Sequence, residues 1–340
     1  MDTKVVVVGG GLAGLSLADK LAQNQQDFLL LEAEEQLGGR ILTEEIAGGH
    51  FDLGPAWFWP GQTRMESLIA SLGLQYFEQY SEGDMIFQDP TGASRRFDFG
   101  TMANSYRVKG GMGALISGLN ARLPQSSVRT SATVTELQKQ DAGVRVLYDS
   151  DAGQESVLAE RVVLAVPPRV LANTIRYSPE LTSETLSEMS RIPTWMAGQA
   201  KIVAVYDQPY WRNAGLSGDG SSQKGPMVEI HDASPADGGP YALFGFVGYL
   251  AAARAQLGTE LVDRARSQLV EMFGQELASP VEIRLKDWAQ VSTIAAEPDR
   301  IGSSHHSVYG STRSLKEFWS GNVILSPSEM GEQFGGYLEG

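Results

Sequence analysis

The sequence has no cysteine in its 340 residues, which removes disulfides, zinc–thiolate sites and thiol nucleophiles together. Any metal would have to come from four histidines and the carboxylates, and none is expected, because isolated histidines near turns, such as His50 and the pair His305-His306, are ordinarily solvated or hydrogen-bonded. Positive charge is also scarce: 27 Lys and Arg stand against 41 Asp and Glu, a formal net charge of −14. Spread along the chain, this excess repels phosphate backbones and anionic lipid, so nucleic acid is not expected as a partner. An acidic surface also steers cations, although keeping the protein soluble is the simpler reading. Long apolar runs are missing. The longest candidate, Tyr241 to Leu257, is broken by Gly245, Gly248 and Arg254, short of the roughly 20 residues that cross a bilayer. Strand-like sequence begins at Lys4, which leaves no room for a signal peptide, so no membrane and a cytoplasmic location are expected.

Glycine is plentiful, with 38 residues, as suits an α/β protein with many tight turns. Lys4 to Val8 reads as a buried parallel strand, Leu15 to Leu21 as a helix and Phe28 to Leu31 as a second strand. Arg64 to Leu72 reads as a helix ending at Gly73, and Asp84 to Gln88 with Arg95 to Phe99 as a hairpin around Pro90-Thr91-Gly92. Gly110 to Gly113 opens a helix through Leu123, followed by strands at Thr133 to Leu137, Val144 to Tyr148 and Arg161 to Ala165, a run that Pro167-Pro168 ends. Long strands at Gly198 to Tyr206 and Tyr241 to Val247 accompany a helix with Leu261, Ala265, Leu269 and Met272 on one face. Asn322 to Leu325 is a last strand, and Gly335 to Gly340 looks like the opening of a helix. The expected fold class is therefore α/β: a discontinuous Rossmann-like nucleotide domain from residues 1–80, 106–176 and 285–340, and a mixed-sheet plus helix substrate domain from 81–105 and 177–284.

Gly9-Gly10-Gly11-Leu12-Ala13-Gly14 fits Gly-x-Gly-x-x-Gly in the required place, between a strand and a helix. The glycines permit a tight turn, close approach of backbone to a pyrophosphate and close helix-to-strand packing, and the helix N-terminus favours phosphate. Glu32, ending the second strand, lies where an acid would bind a ribose.

Further on, Glu32-Ala33 is followed by Leu37-Gly38-Gly39-Arg40 and by Gly48-Gly49-His50-Phe51-Asp52-Leu53-Gly54-Pro55-Ala56-Trp57. Here the sequence resembles the flavin-containing amine oxidase family, which includes monoamine, polyamine and L-amino-acid oxidases. The likeness continues through Arg107 to Leu115, Val162 to Pro168, Ala200-Lys201 to Tyr206, Gln208 to Arg212, Asp287-Trp288, and Glu329 to Gly340. It implies FAD, held by Gly9, Gly11, Ala13, Gly14, Glu32, Ala33, Gly39, Arg40, Pro55, Ala56, Trp57, Val134, Trp288, Glu329 and Leu338. With no cysteine the flavin thioether of some members cannot form, so the cofactor is expected to be noncovalent. Lys201 matches the lysine that holds a water against the flavin, Tyr337 one wall of the aromatic pair flanking the substrate nitrogen, and Trp288 a residue packed beside the flavin. Counting on from Trp288, the position that would supply the second wall falls at Pro298, which has no aromatic ring, so the second wall is not found, and the flavin-linking position falls at Glu297. A lysine in an apolar strand is costly to bury charged, so Lys201 should find a partner or lose its proton readily.

The resemblance implies oxidation of a small-molecule amine by hydride transfer to flavin, imine hydrolysis, and reoxidation by dioxygen to hydrogen peroxide. A desaturase or dehydrogenase using another acceptor, and a non-catalytic FAD-binding protein, share the same fold and stay open at this point. The short stretch between Gly83 and Tyr106, where relatives often insert a helical segment, predicts a more open pocket or one roofed by a partner subunit. Trp57, Phe58, Trp59, Trp195, Phe244, Phe246 and Tyr249 are candidates for lining a channel, most of them expected to be core.

Overall fold

In the computed structural model, residues 2–301, 306, 307, 309, 315 and 317–340 are described. Two large sheets organise them. The first is built on the β-branched run Thr3–Val8, which lies parallel between Phe28–Leu31 and the end of the long strand Gly153–Leu164. Helix Leu12–Gln23 makes the crossover between Thr3–Val8 and Phe28–Leu31 and buries Leu15 and Ala18 beneath them. Val323–Leu325 joins Gly153–Leu164 in parallel, whereas Gly143–Ser150 and Thr133–Gln140 extend the sheet antiparallel. The fold is α/β with a Rossmann-like unit, and its sheet draws strands from the start, middle and end of the chain.

The second sheet runs Glu282–Asp287, Ala200–Tyr206, Tyr241–Val247, Met227–Asp232, Leu216–Ser222, Asp84–Gln88 and Ser94–Phe97. Alternation along each strand sorts its faces. Ile202, Ala204 and Tyr206 pack with Leu261, Ala265 and Leu269 of helix Glu260–Phe273, the stripe read from the sequence. Truncating one such leucine to alanine costs about 2–5 kcal/mol. On the opposite face Val203, Val205, Ala242 and Phe244 meet Phe51, Leu53 and Ala56. The sheet thereby becomes a wall against which the N-terminal stretch is pressed.

Several elements differ from the sequence reading. Pro167-Pro168 does end the run of strands, and a helix not read from the sequence, Pro168–Thr174, starts there, with Pro168 at a position where its missing N–H costs nothing. The chain then returns as Arg176–Ser178, paired with Thr133–Gln140. Tyr177 and Met189 lie in the core of the first sheet, so 177–192, read with the second unit, packs on the first. Glu282–Asp287 pairs with Ala200–Tyr206, so residues 285–287 belong to the second sheet. Leu216–Ser222 and Met227–Asp232 were not read as strands, the former because its sequence is Leu-Ser-Gly-Asp-Gly-Ser-Ser. Gly335 to Gly340 form turns, closed by bonds from Tyr337 N to the Phe334 carbonyl and from Gly340 N to the Tyr337 carbonyl. No helix among the described residues is long and apolar enough to cross a membrane.

Candidate active site

A cavity of 1710 Å³ takes its lining from both sheets and from the loops around them, including the first glycine turn, Lys201, Tyr337 and Gly340. Pockets for single drug-sized ligands are about 300–1,000 Å³, so this space suits a dinucleotide together with a second small molecule.

At one end lies the turn between Val8 and the first helix. Gly9 has φ +101°, and a Cβ on Gly14 would sit 1.9 Å from the Gly9 carbonyl, so helix and strand touch there as only glycine allows. At Gly11 the space is open: the nearest atom to an added Cβ is Gly39 Cα at 3.8 Å. The helix has no acid in its first turn, leaving its N–H groups and dipole for an anion. Glu32 receives Gly10 N at 2.5 Å and Glu34 N at 2.8 Å; burial pushes its carboxyl up, partly opposed by these bonds. Arg40 reaches across to Glu329, Nη1 to Oε1 at 2.7 Å and Nη2 to Oε2 at 3.2 Å, and Nη2 donates to Ser328 Oγ at 3.0 Å. This pair ties the Gly-Gly-Arg stretch to the last strand's loop.

The other end is set by two adjacent carbonyls. Trp288 Nε1 donates to Leu53 O at 2.9 Å, and Lys201 Nζ donates to Gly54 O at 3.0 Å. Between them they fix the stretch leading into Pro55, Ala56 and Trp57. Lys201 is 2% exposed and its Nζ stands 3.8 Å from the centroid of Phe244, a cation–π contact. Burial pushes its pKa down to about 7, with Asp52 opposing the change and Arg107 adding to it. Asp52 accepts Met112 N at 2.9 Å, and burial pushes its own carboxyl up. The lysine is thus poised to gain or lose a proton at neutral pH, as its apolar strand suggested.

Tyr337 faces Trp59 edge-on at 5.9 Å and Trp195 at 6.4 Å. The ring stacked on it is His306, at 4.7 Å and 30° between planes. His306 Nε2 also lies 2.8 Å from Gly335 O. Pro298, the position counted as the second wall, instead lies in the short helix Glu297–Ile301. His306 is therefore hydrogen-bonded, one of the two ordinary states expected of it, and is also packed at Tyr337; His305 lies outside the described residues.

A sequence model for flavin containing amine oxidoreductases matches residues 87–306, more than half of the chain. The chain belongs to the flavin-containing amine oxidoreductase family. A second model, for NAD(P)-binding Rossmann-like domains, matches residues 7–72. Among curated relatives, a probable flavin-containing monoamine oxidase A of Dictyostelium discoideum is 22% identical over 84% of this chain and 84% of its own length. Bovine amine oxidase [flavin-containing] A is 23% identical over 99% of this chain and 82% of its own. Among solved structures, cyclohexylamine oxidase from Brevibacterium oxydans superposes with a TM-score of 0.83 at 18% identity, covering 100% of this chain and 96% of that one. Putrescine oxidase bound to putrescine gives 0.81 at 22% identity with the same coverage.

As a flavin-containing amine oxidoreductase the protein is an FAD-dependent enzyme, and the open space at Gly11 beside an uncapped helix N-terminus fits the cofactor's pyrophosphate. Gly9, Gly11, Ala13, Glu32, Ala33, Gly39, Arg40, Pro55, Ala56, Trp57, Val134, Lys201, Trp288, Tyr337 and Leu338 all line the one cavity. Gly14 and Glu329 stand behind it, the first packing helix on strand and the second holding Arg40. Of the aromatic candidates, Trp57, Trp59, Trp195 and Phe246 line the cavity, whereas Phe58 and Phe244 are buried in cores and Tyr249 packs against the core of the second sheet. Met102, from the short stretch after the hairpin, reaches the cavity too. The sequence reading missed Glu229 and Lys286, which also line it. The available signal was their strands' alternation: Glu229 is paired with Phe246, Phe246 with Lys201, and Lys201 with Lys286. Residues in register on neighbouring strands share a face, so one row carries all four.

Proposed function

We propose that the protein oxidises a short amine bearing a second positive charge, removing hydride from the carbon beside its nitrogen. The imine product takes up water to give a carbonyl compound and ammonia or a smaller amine, and dioxygen is reduced to hydrogen peroxide. Bound FAD, held noncovalently, supplies the hydride acceptance and the return of electrons to dioxygen.

The observation that carries this reading is the row Glu229, Phe246, Lys201, Lys286 along the cavity wall. Lys201 Nζ, held at Gly54 O, is the atom we assign to hold the water that hydrolyses the imine; its lowered pKa lets it exchange a proton at neutral pH. Tyr337 orients the substrate nitrogen from its place beside Trp59 and Trp195. Trp288, fixed through its indole N–H, packs at the cofactor. Glu229 lies two strands from Lys201, about 10 Å at the usual spacing between strands, and offers a carboxylate to a cation at the substrate's far end. Putrescine oxidase with putrescine bound is among the structural neighbours, which supports a diamine as the class.

The visible spectrum of the purified protein, before and after anaerobic addition of primary, secondary and polyamines and amino acids, tests this. Bleaching by diamines ahead of monoamines of equal length is the expected result. A yellow protein that no amine reduces would overturn it.

A further inference from the structure

Behind Glu229 stands a pair of residues that the chemistry above does not use. Strand Met227–Asp232 places Glu229 and His231 on one face. His231 Nδ1 lies 2.7 Å from Asp219 Oδ1, and Nε2 lies 2.7 Å from Glu229 Oε1. His231 is 0% exposed and Asp219 is 1% exposed, while the Glu229 side chain is 49% exposed and lines the cavity. The imidazole is boxed in by the edge of Trp57 at 4.9 Å and by Phe244 at 5.5 Å. Asp219 Oδ2 in turn receives Thr101 N at 2.8 Å and Thr101 Oγ1 at 3.2 Å, next to the cavity-lining Met102.

A neutral imidazole has one donor and one acceptor, so it cannot satisfy two carboxylates at once. Two contacts of 2.7 Å are the length of charge-assisted bonds and describe an imidazolium shared by two acids. Burial alone would pull the His231 pKa down, but the bonds to Asp219 and Glu229 outweigh it and leave it raised. For Asp219, burial pulls upward and is outweighed by His231 and Thr101, leaving it lowered. Three charges in a line thus sum to a single negative one, presented at the cavity by Glu229.

We propose that Asp219 and His231 are positioning residues that hold Glu229 as a fixed, singly charged seat for the substrate's distal ammonium, so that preference for diamines is set two residues deep. This rests on the diamine reading above. A half-exposed glutamate left to itself samples several rotamers, and ordering it would weaken each binding event; here the imidazolium orders it beforehand. Because Asp219 also holds Thr101, the same carboxylate fixes the loop that brings Met102 to the cavity.

The test compares kcat and KM for 1,4-diaminobutane and butylamine on the FAD-loaded wild type, Glu229→Gln, His231→Gln, Asp219→Asn and the double variant Glu229→Gln/Asp219→Asn. Glu229→Gln should abolish the diamine preference in kcat/KM. His231→Gln and Asp219→Asn should each reduce that preference about tenfold, the loss of one well-placed ionic contact, mainly through the diamine KM. The double variant should lose no more than Glu229→Gln alone, because all act through one carboxylate. Full preference in both His231→Gln and Asp219→Asn, with loss only in Glu229→Gln, overturns the positioning role and leaves the diamine reading standing. Preference retained in Glu229→Gln overturns both. Equal losses for diamine and monoamine mark a merely structural role and overturn the proposal. Should His231→Gln fail to retain flavin, Asp219→Asn, which changes no volume, decides.

Discussion

Arg40 and Glu329, 289 residues apart in the chain, meet in a two-pronged ion pair on the cavity wall. Glu329 is wholly buried in its side chain, while that of Arg40 is 25% exposed. Arg40→Ala would strand the carboxylate, at a cost of about 3–5 kcal/mol. We expect a lower midpoint in urea and a reduced FAD content at 280 and 450 nm, the second because the Gly-Gly-Arg stretch loses its tether. A variant as stable and as yellow as the wild type would show that the pair neither braces the fold nor shapes the cofactor site.

Gly11 and Gly14 should fail differently. At Gly14 an added methyl would overlap the Gly9 carbonyl, so Gly14→Ala should unfold more easily by about 1–3 kcal/mol or more. At Gly11 the methyl meets no protein atom closer than 3.8 Å, so Gly11→Val should fold with near-normal circular dichroism but purify colourless. Normal flavin content in Gly11→Val would remove that turn from the cofactor site.

Lys201 predicts a pH dependence of stability. In the unfolded chain the amine holds its proton up to the ordinary lysine value of 10.5, whereas in the folded protein it gives it up near 7. Between these values the unfolded state binds more protons, so this group makes stability rise with pH from about 7 to 10.5, and below 7 its full penalty is present. Lys201→Met should remove that rise and gain on the order of a few kcal/mol at pH 6, where the wild type buries a charge. Urea titrations at pH 6, 8 and 10 read this directly, and an unchanged slope in the variant would contradict it. The same variant should keep FAD while slowing turnover or reoxidation in stopped flow.

Glu339 caps a helix far from it in sequence: its carboxylate oxygens receive Arg64 N at 3.1 Å and Met65 N at 2.9 Å, in the first turn of Thr63–Ser71. Negative charge there complements the helix dipole. Glu339→Gln should lower stability by about 0.5–2 kcal/mol, the usual worth of an N-terminal cap, and a thermal midpoint equal to the wild type's would show that the cap contributes nothing.

The legible parts of the sequence were those whose chemistry demands a local pattern. A pyrophosphate cradle needs glycines at fixed offsets, so Gly9, Gly11 and Gly14 announce themselves, and Lys201 stands out as a charge in an apolar strand. Glu229, His231 and Asp219 did not, because their meaning depends on register between strands that are distant in sequence, one of them a polar run without strand character. Counting from Trp288 finds no second wall, since Pro298 lies in the short helix Glu297–Ile301, and a count of that kind does not single out His306, the ring stacked on Tyr337. The boundary drawn at residue 176 misses for a similar reason: strand Arg176–Ser178 pairs with a strand about 40 residues earlier, and the residues that follow pack on the same sheet.

Residues Ser326 to Ser328 and Gly336 to Gly340 form part of the wall of the cavity that the first glycine turn also lines. The first strand and helix make the cradle by local sequence alone, but the chamber they open into owes one of its sides to segments more than 300 residues away. The dinucleotide cradle and the chamber are therefore separable: a cut that frees Gly336 to Gly340 opens one side of the chamber and leaves the glycine turn in place.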